Sequence, residues 1–329
     1  MFGQKATNKL TEPITDSLFF NETNKWFSAW ELISKDVYNI DNLIPVEFVF
    51  FDDKFVYSTS NITIPKGKFI KGPKLLNASF AWKRTLHNDS IILPDKNIVP
   101  VGLMSFASEL QGKTNKSFFV MPLLSFWKKA GVSSKELGIE NLVTGVFIHE
   151  FSHSQQMQNF GKKMTEYEKN NHFGIDFSDD IVQNLFDKDS SYTKLYIHEL
   201  NTFYEASKEN NTRIKDSLIK VGIGVLQKRH NKFFTGKYES LKKIDEFFLT
   251  MEGLGQFTMY CWLINPKGAN LSVRTAVQGV RRNKKRWSQD EGFALFLILE
   301  QLSGSKNWSK RMFGNETDSV IKLINQKIK

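Results

Sequence analysis

The segment Val146–His153 reads Val-Phe-Ile-His-Glu-Phe-Ser-His and decides the fold that we expect for the chain. Apolar residues recur at helical spacing before the first histidine, which predicts that the segment lies on an amphipathic helix. The two residues between Glu150 and His153 are uncharged, as burial against other elements requires. The apolar positions are Ile139, Leu142, Val143, Val146 and Phe147.

The histidines of this segment are spaced as metal ligands. Residues four apart lie on one face of a helix, about 6 Å from each other. His149 and His153 can therefore bind one tetrahedral zinc ion, with about 2.0–2.1 Å between the metal and each nitrogen. Glu150 points beside the metal, where it can take a proton from metal-bound water. The His-Glu-x-x-His pattern predicts a zinc hydrolase with Glu150 as general base.

A catalytic zinc site needs a third protein ligand and an open position. No further histidine follows His153 at short spacing, so we expect a carboxylate, and two segments offer one. Glu252 lies in an apolar, helical stretch where a buried carboxylate needs a strong partner. Gly253 and Gly255 weaken that helix, which close packing against the histidine helix would explain. Glu199 is the alternative ligand, or a residue that orients a histidine.

The second of these segments carries a resemblance to a known family. Residues 252–257 read Glu-Gly-Leu-Gly-Gln-Phe and resemble the Glu-Gly-Leu-Ala-x-Tyr segment of gluzincin metallopeptidases, including the peptidase MA-like group. The resemblance covers about residues 140–262 and is specific at the two motifs. It implies a zincin-like fold, Glu252 as third ligand, one Zn²⁺ per chain, and a peptide or protein substrate. It departs at Gln256, where thermolysin-like enzymes have an aspartate that supports the first histidine.

A hydrolase of this kind also needs a donor that stabilises the oxyanion of the transition state. Tyr260 follows Glu252 by two helical turns and is the residue that we select for this role. The alternative for Tyr260 is an ordinary core aromatic residue with a satisfied hydroxyl. The other candidate donors are His198, Tyr204, Arg281 and Arg282.

The distribution of strand and helix patterns predicts an α+β fold. A β-rich N-terminal lobe, residues 1–130, precedes a helical catalytic lobe, residues 131–329, and we expect the two to form one continuous catalytic unit. Residues 46–51 and 55–57 form a hairpin pattern, while residues 1–45 indicate irregular or short helical structure. Residues 117–121 are either the edge strand that pairs with an extended substrate or a core strand. Ser133-Ser134-Lys135-Glu136 matches a capping box.

Composition narrows the class of protein and its partners. The 329 residues carry a formal net charge of +10, yet the basic residues are scattered except in residues 281–286, and no nucleic-acid-binding motif accompanies them. We therefore expect no nucleic-acid partner.

The single cysteine, Cys261, excludes an internal disulfide and a cysteine-rich metal site. No apolar stretch reaches the ~18 residues of a membrane span. Residues 1–4, Met-Phe-Gly-Gln, resemble an initiator fused to the end of a removed export signal, which favours the periplasm or exterior over the cytoplasm.

Two other functions stay open beside the zinc peptidase. A zincin-fold protein with little activity could serve in binding, although the intact Glu150 argues against this. A zinc hydrolase could instead cleave an amide bond in a non-peptide substrate, and the motifs do not separate that reaction from peptide cleavage. Nothing in the sequence indicates an oligomeric state.

Overall fold

The computed structural model describes residues 14–110, 116–281, 285–314 and 317–328. The strands within these ranges are β1 Ile14–Thr15, β2 Val46–Phe51, β3 Phe55–Ser58, β4 Lys68–Lys71, β5 Lys83–Leu86, β6 Ser90–Ile92, β7 Ile98–Pro100, β8 Phe106–Leu110 and β9 Lys116–Pro122. The α-helices are α1 Ser17–Leu32, α2 Leu124–Lys129, α3 Ile139–Ser154, α4 Lys162–Lys169, α5 Ile181–Phe186, α6 Ser190–Ala206, α7 Thr212–Phe233, α8 Leu241–Ile264, α9 Val273–Arg281, α10 Trp287–Ser303, α11 Ser305–Trp308, α12 Lys310–Phe313 and α13 Val320–Asn325. Every described strand precedes α2, which confirms the α+β class.

The main sheet has seven described strands in the order β1-β4-β5-β3-β2-β9-β8. Strands β2 and β3 form the antiparallel hairpin that the sequence predicts. Strand β9 pairs in parallel with β2 and antiparallel with β8, so it lies inside the sheet. The prediction that residues 117–121 form an edge strand was therefore wrong. The edge strand next to β9 in the described sheet is β8. Side chains buried on both faces of β9 are the physical reason, because an edge strand rarely carries a continuous apolar run.

Alternation along β2 gives the sheet two buried faces. Phe48 and Phe50 point into the main hydrophobic core, between the sheet and the helices. Val49 and Phe51 point to the other side, into a smaller core that the β6–β7 hairpin helps to cover through Ile91. The main core includes buried side chains from α1 through α13, on both sides of the boundary predicted near residue 130.

Helix α3 presents three different faces to its surroundings. Phe147 and Phe151 lie four residues apart and pack on Phe119 of the sheet, with ring centroids 5.3 and 5.8 Å away. His149 and His153, also four apart, point from another face toward α8. Glu150 is half-buried on a third face. Because one face is anchored by large aromatic rings, the direction of the histidine face is fixed.

Helix α8 is the central helix of the C-terminal part, and every residue from 247 to 259 is buried. It packs against α3 on one side and α10 on the other. The contact with α10 is a backbone contact at Gly253 and Gly292, where a Cβ added at Gly253 would lie 2.5 Å from the carbonyl carbon of Gly292. A helix that is apolar all round must be covered on all sides, which explains its central position.

Two local predictions need correction. Residues 17–32 form a single helix of 16 residues, capped by Asp16, where only irregular or short helical structure was expected. The Ser133–Glu136 pattern is not a helix start: Ser134 accepts a hydrogen bond from the backbone of Leu137 at 3.1 Å, within a turn. Helix α3 begins after Gly138. The φ of 74° at this glycine is not helical, so the helix cannot extend back toward Ser133.

Among the described helices, none is both long and apolar enough to cross a lipid bilayer. The export prediction concerns residues 1–4, which lie outside the described residues, so it stays a prediction.

Candidate metal centre

The two histidines of α3 converge on one point. Their Nε2 atoms are 3.1 Å apart, and both rings are buried, with 3% and 6% of their surfaces exposed for His149 and His153. The rings stand almost perpendicular to each other, at 89°. One donor atom from each of these rings and one from Glu150 lie within 4.8 Å of one another. The helix therefore brings together the three motif residues, as their spacing predicts.

Glu252 of α8 completes the cluster. Its Oε2 atom lies 3.2 Å from His149 Nε2, and its Oε1 atom lies 3.2 Å from His153 Nε2. Ligands that hold zinc tetrahedrally at about 2.0–2.1 Å lie about 3.3 Å from one another. Each imidazole thus lies at a ligand-to-ligand separation from one oxygen of the carboxylate. A donor set of two imidazoles and one carboxylate is one that zinc accepts. These residues could hold a metal ion.

A glycine lets α8 approach the histidines this closely. A Cβ added at Gly255 would lie 2.6 Å from Nδ1 and 2.7 Å from Cε1 of His149, closer than Cβ atoms approach other atoms in proteins. The close packing against the histidine helix that the sequence predicted from both glycines is therefore present at Gly255. For Gly253 the prediction was wrong, because this glycine packs against Gly292 of α10.

Gln289 of α10 binds the Glu252 carboxylate, and Gln256 of α8 binds Gln289 in turn; the sequence did not point to Gln289. Gln289 Nε2 donates to Glu252 Oε2 at 3.0 Å, and Gln256 Nε2 donates to Gln289 Oε1 at 2.6 Å. Gln256 therefore acts through Gln289 on the carboxylate, and not in the place of the aspartate that supports the first histidine in thermolysin-like enzymes. Gln289 is 37 residues from Glu252, and no local pattern points to it.

The charged side chains of the cluster shift one another's pKa values. Burial opposes the ionised form of Glu252, but the imidazoles of His153 and His149 outweigh it and hold the pKa of this carboxyl well below its usual range. Burial also opposes the protonated form of His153, yet the Glu252 carboxylate raises the pKa of that ring to about 9. The cluster also affects Asp179: burial and the negative charge of Glu252 raise the pKa of this carboxyl. Without a metal, protonated His153 and ionised Glu252 thus form a buried ion pair.

Glu150 borders an open cleft on the third face of α3. The cleft has a volume of about 500 Å³ and is lined by Leu142 and Val146 of α3, Trp127 of α2 and Gln278 of α9, among others. A general base must reach the solvent and the substrate at once, and Glu150 is the motif residue that faces such a space.

Glu199, the alternative third ligand, has a different role in the structure. It is fully buried and accepts two hydrogen bonds from Arg229 Nε, at 3.1 and 3.0 Å, and a further one from Arg229 Nη2. Asp245 and Glu291 also contact this guanidinium, at 3.2 and 3.4 Å. Burial and the nearby Glu199 carboxylate raise the pKa of Glu291 well above its usual range. Glu199 therefore belongs to a buried charge cluster around Arg229, and its oxygens are engaged there.

The structure does not bring the predicted oxyanion donor to the cluster. The ring of Tyr260 packs against Phe257 and Phe293, with centroids 6.2 and 5.4 Å away, and lies about 12 Å along α8 from Glu252. These contacts favour the alternative interpretation of Tyr260 as a core aromatic residue.

The other candidate donors are also engaged or distant. The Tyr204 hydroxyl donates to Asp290 Oδ1 at 2.7 Å, and Arg281 binds the same carboxylate at 2.8 and 3.1 Å. His198 is exposed on the outer face of α6. Arg282 lies outside the described residues.

Comparisons of this chain with protein-family models, with curated proteins and with solved structures found no match.

Proposed function

We propose that the chain is a zinc-dependent metallopeptidase of gluzincin type with a zincin-like fold. The observation that carries this proposal is a cluster of three side chains beside a glutamate that borders an open cleft. The Nε2 atoms of His149 and His153 are 3.1 Å apart, and each lies 3.2 Å from a different oxygen of the Glu252 carboxylate. A carboxylate and two imidazoles that converge in a buried place, where burial penalises charge, form a donor set that suits a bound cation. Catalytic zinc sites commonly combine two histidines and one glutamate.

The residues of the site divide the chemistry between them. When bound, zinc would lower the pKa of a coordinated water and polarise the carbonyl group of the substrate. His149, His153 and Glu252 would hold the ion. Glu150 would accept the proton from the attacking water and return it to the leaving nitrogen, from a position on the wall of the cleft. Lys135 and Lys285 line the same cleft as Glu150, so a charged donor for the oxyanion could come from the cleft wall.

Peptide is the favoured substrate because of strand β8. It lies at the edge of the described sheet, and α3 packs directly against it. An edge strand has unpaired backbone groups, which an extended peptide can use to add itself to the sheet. A non-peptide amide would make no use of such an edge. The intact Glu150 is the feature that argues against a binding protein without activity.

The test uses purified, metal-free protein, one variant of a cleft residue and one variant of a carboxylate outside the cleft. The wild type should take up about one zinc per chain and then cleave members of a peptide library. Glu150→Gln should bind zinc as tightly, yet lose turnover by at least about a thousandfold, because the general base is gone. Glu205→Gln is the matched control, since Glu205 is an exposed carboxylate of α6 that does not line the cleft. It should leave both zinc binding and turnover unchanged.

Three results would decide against parts of the proposal. A wild type that takes up no zinc would remove the metal centre. Turnover that persists in Glu150→Gln would remove the general-base role. Zinc binding without cleavage of any peptide would favour the inactive binding protein or the hydrolase of another amide.

A further inference from the structure

We infer that Gln289 and Gln256 form a polarised amide relay that positions Glu252 as the third metal ligand. The inference rests on the proposed metal centre, and it assigns Gln289 as a positioning residue that acts through the carboxylate. Gln256 Nε2 donates to Gln289 Oε1 at 2.6 Å, and Gln289 Nε2 donates to Glu252 Oε2 at 3.0 Å. The relay thus runs from α8 to α10 and back to α8.

The direction of the hydrogen bonds follows from the chemistry of the end group. An ionised carboxylate can only accept, so Gln289 must turn its NH₂ group toward Glu252. Its carbonyl oxygen then points away and needs a donor, which Gln256 supplies. Gln256 is almost completely buried, so water does not compete for this role. The Glu252 carboxylate thus fixes which way the Gln289 amide faces, and the donor of Gln256 stabilises that orientation.

The backbone of the two helices holds the relay at the right length. Gly253 and Gly292 touch through their main chains, and a Cβ on either glycine would lie within 2.6 Å of the other one. Gln256 follows Gly253 by three residues, and Gln289 precedes Gly292 by three residues. Both amides thus start about one helical turn from the closest contact between α8 and α10, which is why two glutamines can bridge the helices.

A neutral relay suits the charge of this site. Glu252, Glu150 and Asp179 already bring three carboxyl groups to the neighbourhood of two imidazoles. An acidic partner for Glu252 would add a further negative charge and would repel the ligand carboxylate. An amide orients the carboxylate without changing the net charge. The hydrogen bond engages Oε2, and Oε1 lies 3.2 Å from His153 Nε2.

The relay is tested by reversing its polarity. In Gln289→Ala the carboxylate loses its donor, and zinc affinity should fall about 10–100-fold. Gln256→Ala should cost less, because the Gln289 amide can still donate. Gln256→Glu should cost more than Gln256→Ala, because the new carboxylate accepts from Gln289 and turns the amide oxygen toward Glu252. Gln301→Ala is the control: this glutamine lies on the same helix and donates to the backbone carbonyl of Ser207.

Three measurements are made on the whole 329-residue chain. Zinc affinity is obtained by competition with a chromophoric chelator, ligand geometry from the visible absorption of the Co²⁺-loaded protein, and folding from thermal unfolding of the metal-free protein. We expect weaker zinc binding and an altered Co²⁺ spectrum in Gln289→Ala and Gln256→Glu, with unfolding close to that of the control. Equal zinc affinities for Gln289→Ala and the wild type would overturn the relay, as would equal affinities for Gln256→Glu and Gln256→Ala. A wild type that binds no zinc would overturn the metal centre itself, and the relay with it.

Discussion

Gly255 lies against the imidazole ring of His149, and a Cβ at this position would approach Nδ1 to 2.6 Å. The contact joins the helix of Glu252 to the helix of His149 and His153. A glycine in a helix costs about 1 kcal/mol relative to alanine, and Gly255 is one turn of α8 away from Glu252. The structure explains that cost, because only a glycine lets α8 come near enough for Glu252 to reach both histidines.

Gly255→Ala should therefore damage the metal centre without unfolding the protein. The new methyl group must displace the His149 ring or move α8 away from α3, and either shift separates the ligand atoms. We expect zinc affinity to fall at least about tenfold, in the range found for disturbed metal-ligand orientation. Titration with zinc in competition with a chelator measures this change.

The matched control is Gly224→Ala. Gly224 lies in the middle of α7, and no atom is within 4 Å of the Cβ that it would gain. This substitution should leave zinc affinity unchanged and stabilise the fold by up to about 1 kcal/mol. If Gly255→Ala bound zinc like the control, the close contact between Gly255 and His149 would have no role in the metal centre.

The two carboxylates that compete for the third-ligand position should respond in opposite ways. Glu252→Ala should lose zinc binding but keep the fold, because it removes a group that lies between two imidazoles. Glu199→Ala should keep zinc binding and lose about 3 kcal/mol of unfolding free energy, because it takes away the main partner of the buried Arg229. The value is at the low end for a broken buried ion pair because Asp245 and Glu291 still contact the guanidinium.

Metal analysis and urea unfolding of both variants check this pair of predictions. A Glu199→Ala protein that is stable but free of zinc, beside a Glu252→Ala protein that retains it, would exchange the two assignments.

The sequence predicted those parts of the site that depend on local spacing. His149, Glu150 and His153 lie on one short helical segment, so helical geometry alone brings them together. The position of Glu252 came from a second motif, and the glycines beside it indicated a close helix contact. Gln289 could not be found in this way, because its contact with Glu252 depends on how α10 packs on α8, which no local pattern encodes.

The difference between local patterns and long-range packing also explains which parts of the predicted fold were wrong. The strand pattern of residues 117–121 was recognised, but the side of the sheet on which β8 pairs is a long-range property. The Ser133–Glu136 pattern satisfied a local rule for helix starts, yet Gly138 with its φ of 74° sets the true beginning of α3. The α+β class was predictable because strand and helix patterns separate along the chain.

Zinc binding should release a proton and strengthen as the pH rises. In the metal-free protein Glu252 raises the pKa of His153 to about 9, so this ring carries a proton at neutral pH. Zinc binds the neutral imidazole and must displace that proton. Apparent affinity should therefore rise about tenfold per pH unit up to about pH 9 and level off above it.

Calorimetric titration in buffers of different ionisation enthalpy should detect about one proton released per zinc at pH 7.5. His230→Gln, which alters a histidine bound to Asp245, should release the same number. A zinc affinity that does not change between pH 6.5 and 9 would show that His153 is neutral before the metal arrives.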